Sequence, residues 1–197
     1  PAADRLSFAR AAEALGMILR PALPQDAPAL AALGRDSFVA AFGHLYRDED
    51  LQAFLEQCYG EEVVAAEIAD PALRHCLATD ESGALAGFCK LRFPSGYAEH
   101  SDAARPLSLQ QLYTDPARIG QGIGARLMDW ALAEARALEA DAIQLSVWSG
   151  NVAAQRFYAR YGFGKIADIE FLVGSHRDEE FLFELRLPEA IGQSAAR

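Results

Sequence analysis

The sequence predicts an α/β or α+β sheet protein with helices on both faces, and three observations carry that expectation. Apolar residues recur with helical period in some segments, most clearly Leu127, Met128, Ala131, Leu132, Ala135 and Leu138. In others they alternate with polar ones, as Ile143, Leu145 and Val147 do with Gln144 and Ser146. The two kinds of segment succeed one another along 197 residues with no internal repeat or linker, a length that one core can fill.

Taken in order, residues 1–16 read as an N-terminal extension with helical character, 17–187 as a single domain, and 188–197 as a frayed tail. Met17 to Arg20 make a short strand, and Pro24-Gln25-Asp26 starts a helix that runs towards Ala41. Phe42-Gly43-His44-Leu45-Tyr46 breaks the pattern, and Asp48 is placed to cap a second helix carrying Leu51, Phe54 and Leu55. Residues 74–79 and 85–92 are apolar segments joined by the polar turn Asp80-Glu81-Ser82-Gly83, hence antiparallel neighbours. Residues 94–106 lose periodicity and read as an exposed loop overhanging a site.

In the next strand the apolar residues change parity between Leu109 and Leu112, across Gln110-Gln111. Either a β-bulge inserts one residue there, or the strand is buried on both faces. A helix over residues 122–138 turns Arg126, Asp129 and Arg136 outwards. After the strand at 143–147, Asn151 caps a helix closed by Gly162. Strands near 165–173 and 181–187 form a last hairpin around residues 174–179.

A net charge of −10 and the lack of Lys/Arg clusters argue against a nucleic-acid partner. Acidity suits a cationic substrate, and it equally serves solubility. Cys58, Cys76 and Cys89 are odd in number and widely spaced, so they read as small apolar residues of a reduced protein, and the four scattered histidines suggest no metal site. With no apolar run long enough to span a bilayer and no secretion signal in the first fifteen residues, the expectation is a cytoplasmic protein without a membrane partner.

The segment Arg118-Ile119-Gly120-Gln121-Gly122-Ile123-Gly124-Ala125 lies between a strand and a helix. Successive backbone N–H groups at the positive end of a helix form a nest for phosphate, glycines let a pyrophosphate approach, and Arg118 adds charge at the mouth. Gly120-x-Gly122-x-x-Ala125 also matches the dinucleotide fingerprint, but the acid about twenty positions on, Asp141, precedes its strand instead of ending it.

Three segments resemble the GNAT acetyltransferase superfamily. Residues 109–114 are similar to its bulged central strand, 119–125 to its coenzyme A loop, and Asn151, Ala154, Phe157, Tyr158, Gly162 and Phe163 to its N-x-x-A-x-x-F-Y-x-x-x-G-F segment. The resemblance extends from Met17 to Leu187, with Ile18-Leu19-Arg20-Pro21 and Asp26 at its start. One departure is that Ile119 stands where the family has Arg or Gln, which leaves the backbone nest intact. The resemblance implies a mixed, mostly antiparallel sheet of six to seven strands with a splayed centre, and transfer from acetyl-coenzyme A to an amine without a covalent intermediate.

It further implies that the bulge aims an N–H near Leu112 at the thioester oxygen and that Leu112, Tyr113 and Thr114 bind the pantetheine arm like an added strand. Asn151, Ala154 and Phe157 would contact the coenzyme, although Phe157, spaced helically from Tyr161, reads as core on the residues alone. Tyr158 would be the acid that protonates the departing thiolate; its ordinary pKa of ~10 keeps it protonated at neutral pH. The residues alone leave it equally a packed aromatic wall. No base is evident; Glu99 and His100 are the loop candidates, and a water-mediated route is expected.

By resemblance Phe42, His44 and Tyr46 line the acceptor site, and residues 42–59 are diffusely similar to spermidine and polyamine acetyltransferases. A small-amine enzyme, a protein or peptide acetyltransferase and a coenzyme A sensor are the three readings, with a homodimer as the default expectation.

Overall fold

The computed structural model describes residues 16–188. The expected N-terminal helix and nearly all of the expected frayed tail lie outside them. The chain runs β1 (Ile18–Pro21), α1 (Ala27–Phe42), α2 (Asp48–Tyr59), α3 (Glu61–Ala69), β2 (Leu73–Thr79), β3 (Leu85–Arg92), β4 (Pro106–Thr114), α4 (Ile123–Ala137), β5 (Ala142–Trp148), α5 (Val152–Arg160), β6 (Gly164–Val173) and β7 (His176–Arg186). The seven strands form one sheet in the order β1-β2-β3-β4-β5-β7-β6. Every neighbouring pair is antiparallel except β4 and β5.

That parallel pair is short. Its register holds only from Pro106 opposite Ala142 to Ser108 opposite Gln144, while β4 continues to Thr114 and β5 to Trp148. Just beyond Ser108 lies the parity change: Leu91 pairs Leu109 and Lys90 pairs Gln111, so Gln110 is the extra residue of a bulge. The bulge restores Leu112 to the face of Leu109, where both join the core that α4 covers. The alternative of two buried faces holds for residues 106–109, ahead of the bulge.

Alternation then assigns each face its helices. Cys89, Leu91, Leu107, Ile143 and Leu145 pack on Leu127, Met128, Ala131 and Ala135 of α4. On the opposite face Leu77 and Phe88 meet Leu30 and Ala31 of α1 and Val64 of α3. Phe38, Leu51, Leu55, Tyr59 and Val173 form a further cluster beneath α2. Full burial of a side chain such as Leu127 or Leu145 contributes about 2 kcal/mol, so these clusters fix which way the sheet faces. A bidentate pair from Arg20 to Asp26, at 2.6 and 2.7 Å, ties β1 to the start of α1.

Several expectations need correction. No sequence signal announces α3. Asp48 is not the cap of α2: Arg47 holds that position, and Asp48, Glu49 and Asp50 fill the first turn, where carboxylates suit the helix dipole. Arg126 is half-buried, its Nη1 donating to the Met17 carbonyl at 2.6 Å. The loop after β3 is anchored as well as exposed. Ser95 is buried and donates to Gln144 Oε1 at 2.6 Å, and the Asp141 carboxylate accepts from the amides of Ala104 and Arg105. β7 starts at His176, five residues before the expected strand, with a tight turn at Gly174-Ser175.

Candidate active site

Because β4 and β5 part company beyond Ser108, a cleft of about 620 Å³ opens between them. Leu112, Tyr113 and Thr114 form one wall, Ser146, Val147 and Trp148 the other. On the α5 side it reaches Asn151, Ala154 and Tyr158; on the α1 and α2 side it reaches Phe38, Phe42, Tyr46 and Phe54. Backbone groups of residues 110–114 that would ladder with β5 in a closed sheet have no such partner, which leaves them available to an extended ligand.

At one mouth stands the glycine loop. Gly120 and Gly122 have φ of +86° and +78°, which glycine adopts without strain, and a Cβ at either would meet nothing within 4 Å. Gly122 caps α4, whose first N–H groups have no intrahelical acceptor. Around Gly124 the nearest side chains are Leu112, Thr114 and Phe157, so the expected strand and loop residues converge on this helix start. Ile119 lines the cleft while 74% exposed, Gln121 is exposed, and Ala125 is half-buried. The Ile123 side chain is core, leaving only its backbone for a ligand. Arg118 is less free than its sequence position suggests: it pairs with Asp80 at 2.7 Å and Asp115 at 3.6 Å. The open, unstrained cradle at a helix N-terminus fits a diphosphate without that guanidinium.

Asn151 caps α5 by accepting from the Ala154 amide at 3.0 Å, and this orients the turn bearing Tyr158. Tyr158 is 8% exposed yet lines the cleft, and burial pushes its phenol far above its ordinary range, with Cys89 and Tyr113 adding to the shift. Phe157 packs against Tyr161 at 5.2 Å between ring centres and reaches towards Gly124, but it is not among the residues that line the cleft. The Tyr113 side chain lies edge-on to Phe88.

At the other end, Phe42 and Tyr46 line the cleft, whereas His44 is exposed and meets the edge of Trp148 from outside it. Sequence reasoning missed the groups that face them. Tyr46 donates a short hydrogen bond to buried Asp178, whose other oxygen lies 3.2 Å from His176 Nε2. Glu180, opposite Trp148 in the β5–β7 ladder, also lines the cleft. Its Oε2 is buried with no hydrogen-bond partner among the described residues. Burial raises its carboxyl pKa, Ser146 opposes that shift, and Asp178 adds to it. Tyr97, from the loop expected to overhang the site, reaches Ser146 Oγ at 3.4 Å and closes this end.

Lys90 donates to both oxygens of Glu67, at 2.8 and 3.0 Å, so the one lysine among the described cleft residues is already neutralised. Cys58, read as a small core residue, is half-buried and lines the cleft. Glu99 and His100 pair with each other at 3.5 Å and do not line it.

Residues 35–163 match the family model described as the acetyltransferase (GNAT) family. An uncharacterised N-acetyltransferase of Lactobacillus delbrueckii subsp. lactis is 29% identical over 164 residues, covering 83% of this chain and 93% of that protein. The aminoalkylphosphonate N-acetyltransferase of Salmonella typhimurium is 32% identical over 129 residues, 65% of this chain and 77% of the relative. Among solved structures, the PaiA N-acetyltransferase of Thermoplasma acidophilum, in complex with coenzyme A, superposes with a TM-score of 0.71 at 20% identity, over 87% of this chain and 99% of that one.

Proposed function

The chain belongs to the GNAT acetyltransferase family, and from that premise we propose that its 17–187 domain transfers acetyl from acetyl-coenzyme A to the primary amine of a small cationic acceptor, such as a diamine or polyamine. The observation that carries this reading is a continuous cleft running between splayed strands, with Ile119 of the glycine loop and Tyr158 at one end and aromatic walls with Asp178 and Glu180 at the other. In this reading the amides of the glycine loop and the α4 N-terminus hold the diphosphate, and Leu112, Tyr113 and Thr114 hold the pantetheine arm. Tyr158 donates a proton to the sulfur as the C–S bond breaks.

The acceptor class follows from charge. Asp178 and Glu180 supply negative charge, Phe42, Tyr46 and Trp148 supply π faces that attract a cation, and Lys90 is held by Glu67. An acceptor carrying a phosphonate, as the Salmonella relative's name describes, would find no unpaired lysine or arginine among the described residues of this cleft. Calorimetry with coenzyme A and with NAD, followed by thiol release over spermidine, a diamine, an aminoalkylphosphonate, an amino acid and a peptide, tests the reading. Coenzyme A binding with diamine preference is the expected result. Binding of NAD alone would refute the cofactor assignment, and preference for the peptide or the phosphonate would refute the acceptor class.

A further inference from the structure

Resting on the acetyltransferase reading just given, we propose that the Glu180 carboxylate binds the acceptor's ammonium group and takes its proton before the nitrogen attacks. An aliphatic ammonium with pKa ~10 is only about one part in a thousand free amine at pH 7, so some group must accept a proton for attack to be fast. Glu180 is placed for that task by the fold. In the β5–β7 ladder it faces Trp148, and alternation puts Asp178 on the same side of β7. Its Oε2 is buried without a hydrogen-bond partner among the described residues, in the same cleft that Ser146 lines.

A buried carboxylate oxygen with no donor is costly unless a ligand supplies one, and an ammonium N–H is such a donor. The groups that face Glu180 are Asp178 on its own strand, Tyr46 from the turn after α1, Tyr97 from the loop before β4, and Tyr113 on β4. None of these four is a cation. Asp178 is already engaged by Tyr46 and His176, which leaves Glu180 as the open acceptor of the pair. Its pKa, raised by burial, makes it a stronger base than an exposed glutamate.

The proton inventory closes. R–NH3⁺ gives one proton to Glu180, yielding neutral amine and a carboxylic acid. The nitrogen lone pair forms the C–N bond as the C–S bond breaks. The sulfur takes a proton from Tyr158, which is restored from water, and the surplus proton on the new amide nitrogen leaves to solvent, as does the one on Glu180. One amide and one thiol result.

The test is the pH profile of kcat/KM for a diamine between pH 6.5 and 9.5, in the wild type, Glu180→Gln and Glu180→Asp, with coenzyme A affinity measured by calorimetry alongside. With the carboxylate present the profile is flat around neutrality, because ammonium and base bind together. Glu180→Gln must use free amine. Its kcat/KM should lie at least ~100-fold low at pH 7 and climb about tenfold per pH unit, with coenzyme A affinity unchanged. Glu180→Asp should keep the flat profile at reduced rate. A Glu180→Gln deficit that is the same at every pH would mark a structural role and overturn the inference, as would no deficit at all. A wild type that binds coenzyme A but acetylates no diamine overturns this inference and leaves the family chemistry standing, whereas one that fails to bind coenzyme A overturns both.

Discussion

Tyr158 illustrates how one side chain's surroundings set its protonation: buried among Phe157, Phe163 and the cleft wall, its hydroxyl stays neutral at every physiological pH and can only give a proton. Tyr158→Phe is therefore expected to lower kcat at least ~tenfold, the scale of one general acid, while leaving coenzyme A affinity nearly unchanged. Steady-state thiol release and calorimetry on one preparation check both halves, and unaltered turnover removes Tyr158 from the chemistry. His75 shows the converse case. Burial first, and Lys90 second, depress its imidazole to about 4, against ~6.5 in the unfolded chain. Between those values the unfolded state binds the proton that the folded state refuses, so stability falls as pH drops through that window, by about 3 kcal/mol at most. The melting temperature of His75→Gln should decline less steeply than that of the wild type from pH 7 to 4.5; parallel declines would show that His75 is not held neutral. Residues became legible in the sequence where a local rule tied them to structure. Asn151 is a cap, and Ala154 and Tyr158 follow it at helical spacing. Asp178 stayed hidden because residues 174–179 read as a turn, and Glu180 fell between that turn and the strand expected from Phe181; the tight turn at Gly174-Ser175 instead gives both positions to a strand whose alternation points both acids one way. The Lys90–Glu67 pair, 23 positions apart, has no local signature.

Among the elements, β4 does most to create the cleft, and its bulge was readable because a single inserted residue moves every later apolar side chain to the other face. Gln110 itself is exposed, and its two flanks keep their pairing with β3. Deleting Gln110 should thus preserve which side chains face the α4 core while straightening the strand and narrowing the splay. The expected variant folds with near wild-type cooperativity and loses ~100-fold or more in turnover, the cost of misplacing reacting groups by about an ångström. Retained turnover in a folded deletion variant would show that the bulge does not shape the site. At the next element, Gly122→Ala adds a methyl into open space but forces an L-residue to φ +78°. A cost of about 1–2 kcal/mol in thermal or urea unfolding is expected, with weaker coenzyme A binding wherever the backbone relaxes. Unchanged stability would mean the loop adopts another conformation. Helix α3 was illegible for a physical reason: Gly60 ends the preceding pattern, and of its nine residues only Val64 is fully buried, so no apolar stripe marks the helix. The β2–β3 hairpin and α4, with clear turn chemistry and a clear stripe, appeared with nearly their observed bounds.

On the scale of the whole molecule, the splay converts a two-sided sheet into a passage, and in the proposed reading coenzyme A and acceptor approach the reacting atoms from opposite ends of that one cleft. The two ligands of the proposed reaction differ in sign, and the chain's charge of −10 favours only the cationic one. A cationic acceptor is drawn towards a negative molecule whose cleft ends in Asp178 and Glu180, and added salt screens that attraction over a Debye length of ~10 Å at 0.1 M. For a spermidine-like polycation log kcat/KM should fall with ionic strength more steeply than for a monoamine, because the long-range energy scales with the product of charges. Coenzyme A is repelled by the same field and, in the proposed reading, held by short-range contacts to amides, so its affinity should hold or improve as salt is added. A salt series run on both amines, with coenzyme A titrations at each ionic strength, separates these effects. Equal slopes for the polyamine and the monoamine would mean that the acidity of this protein serves solubility and contributes nothing to capture of its substrate.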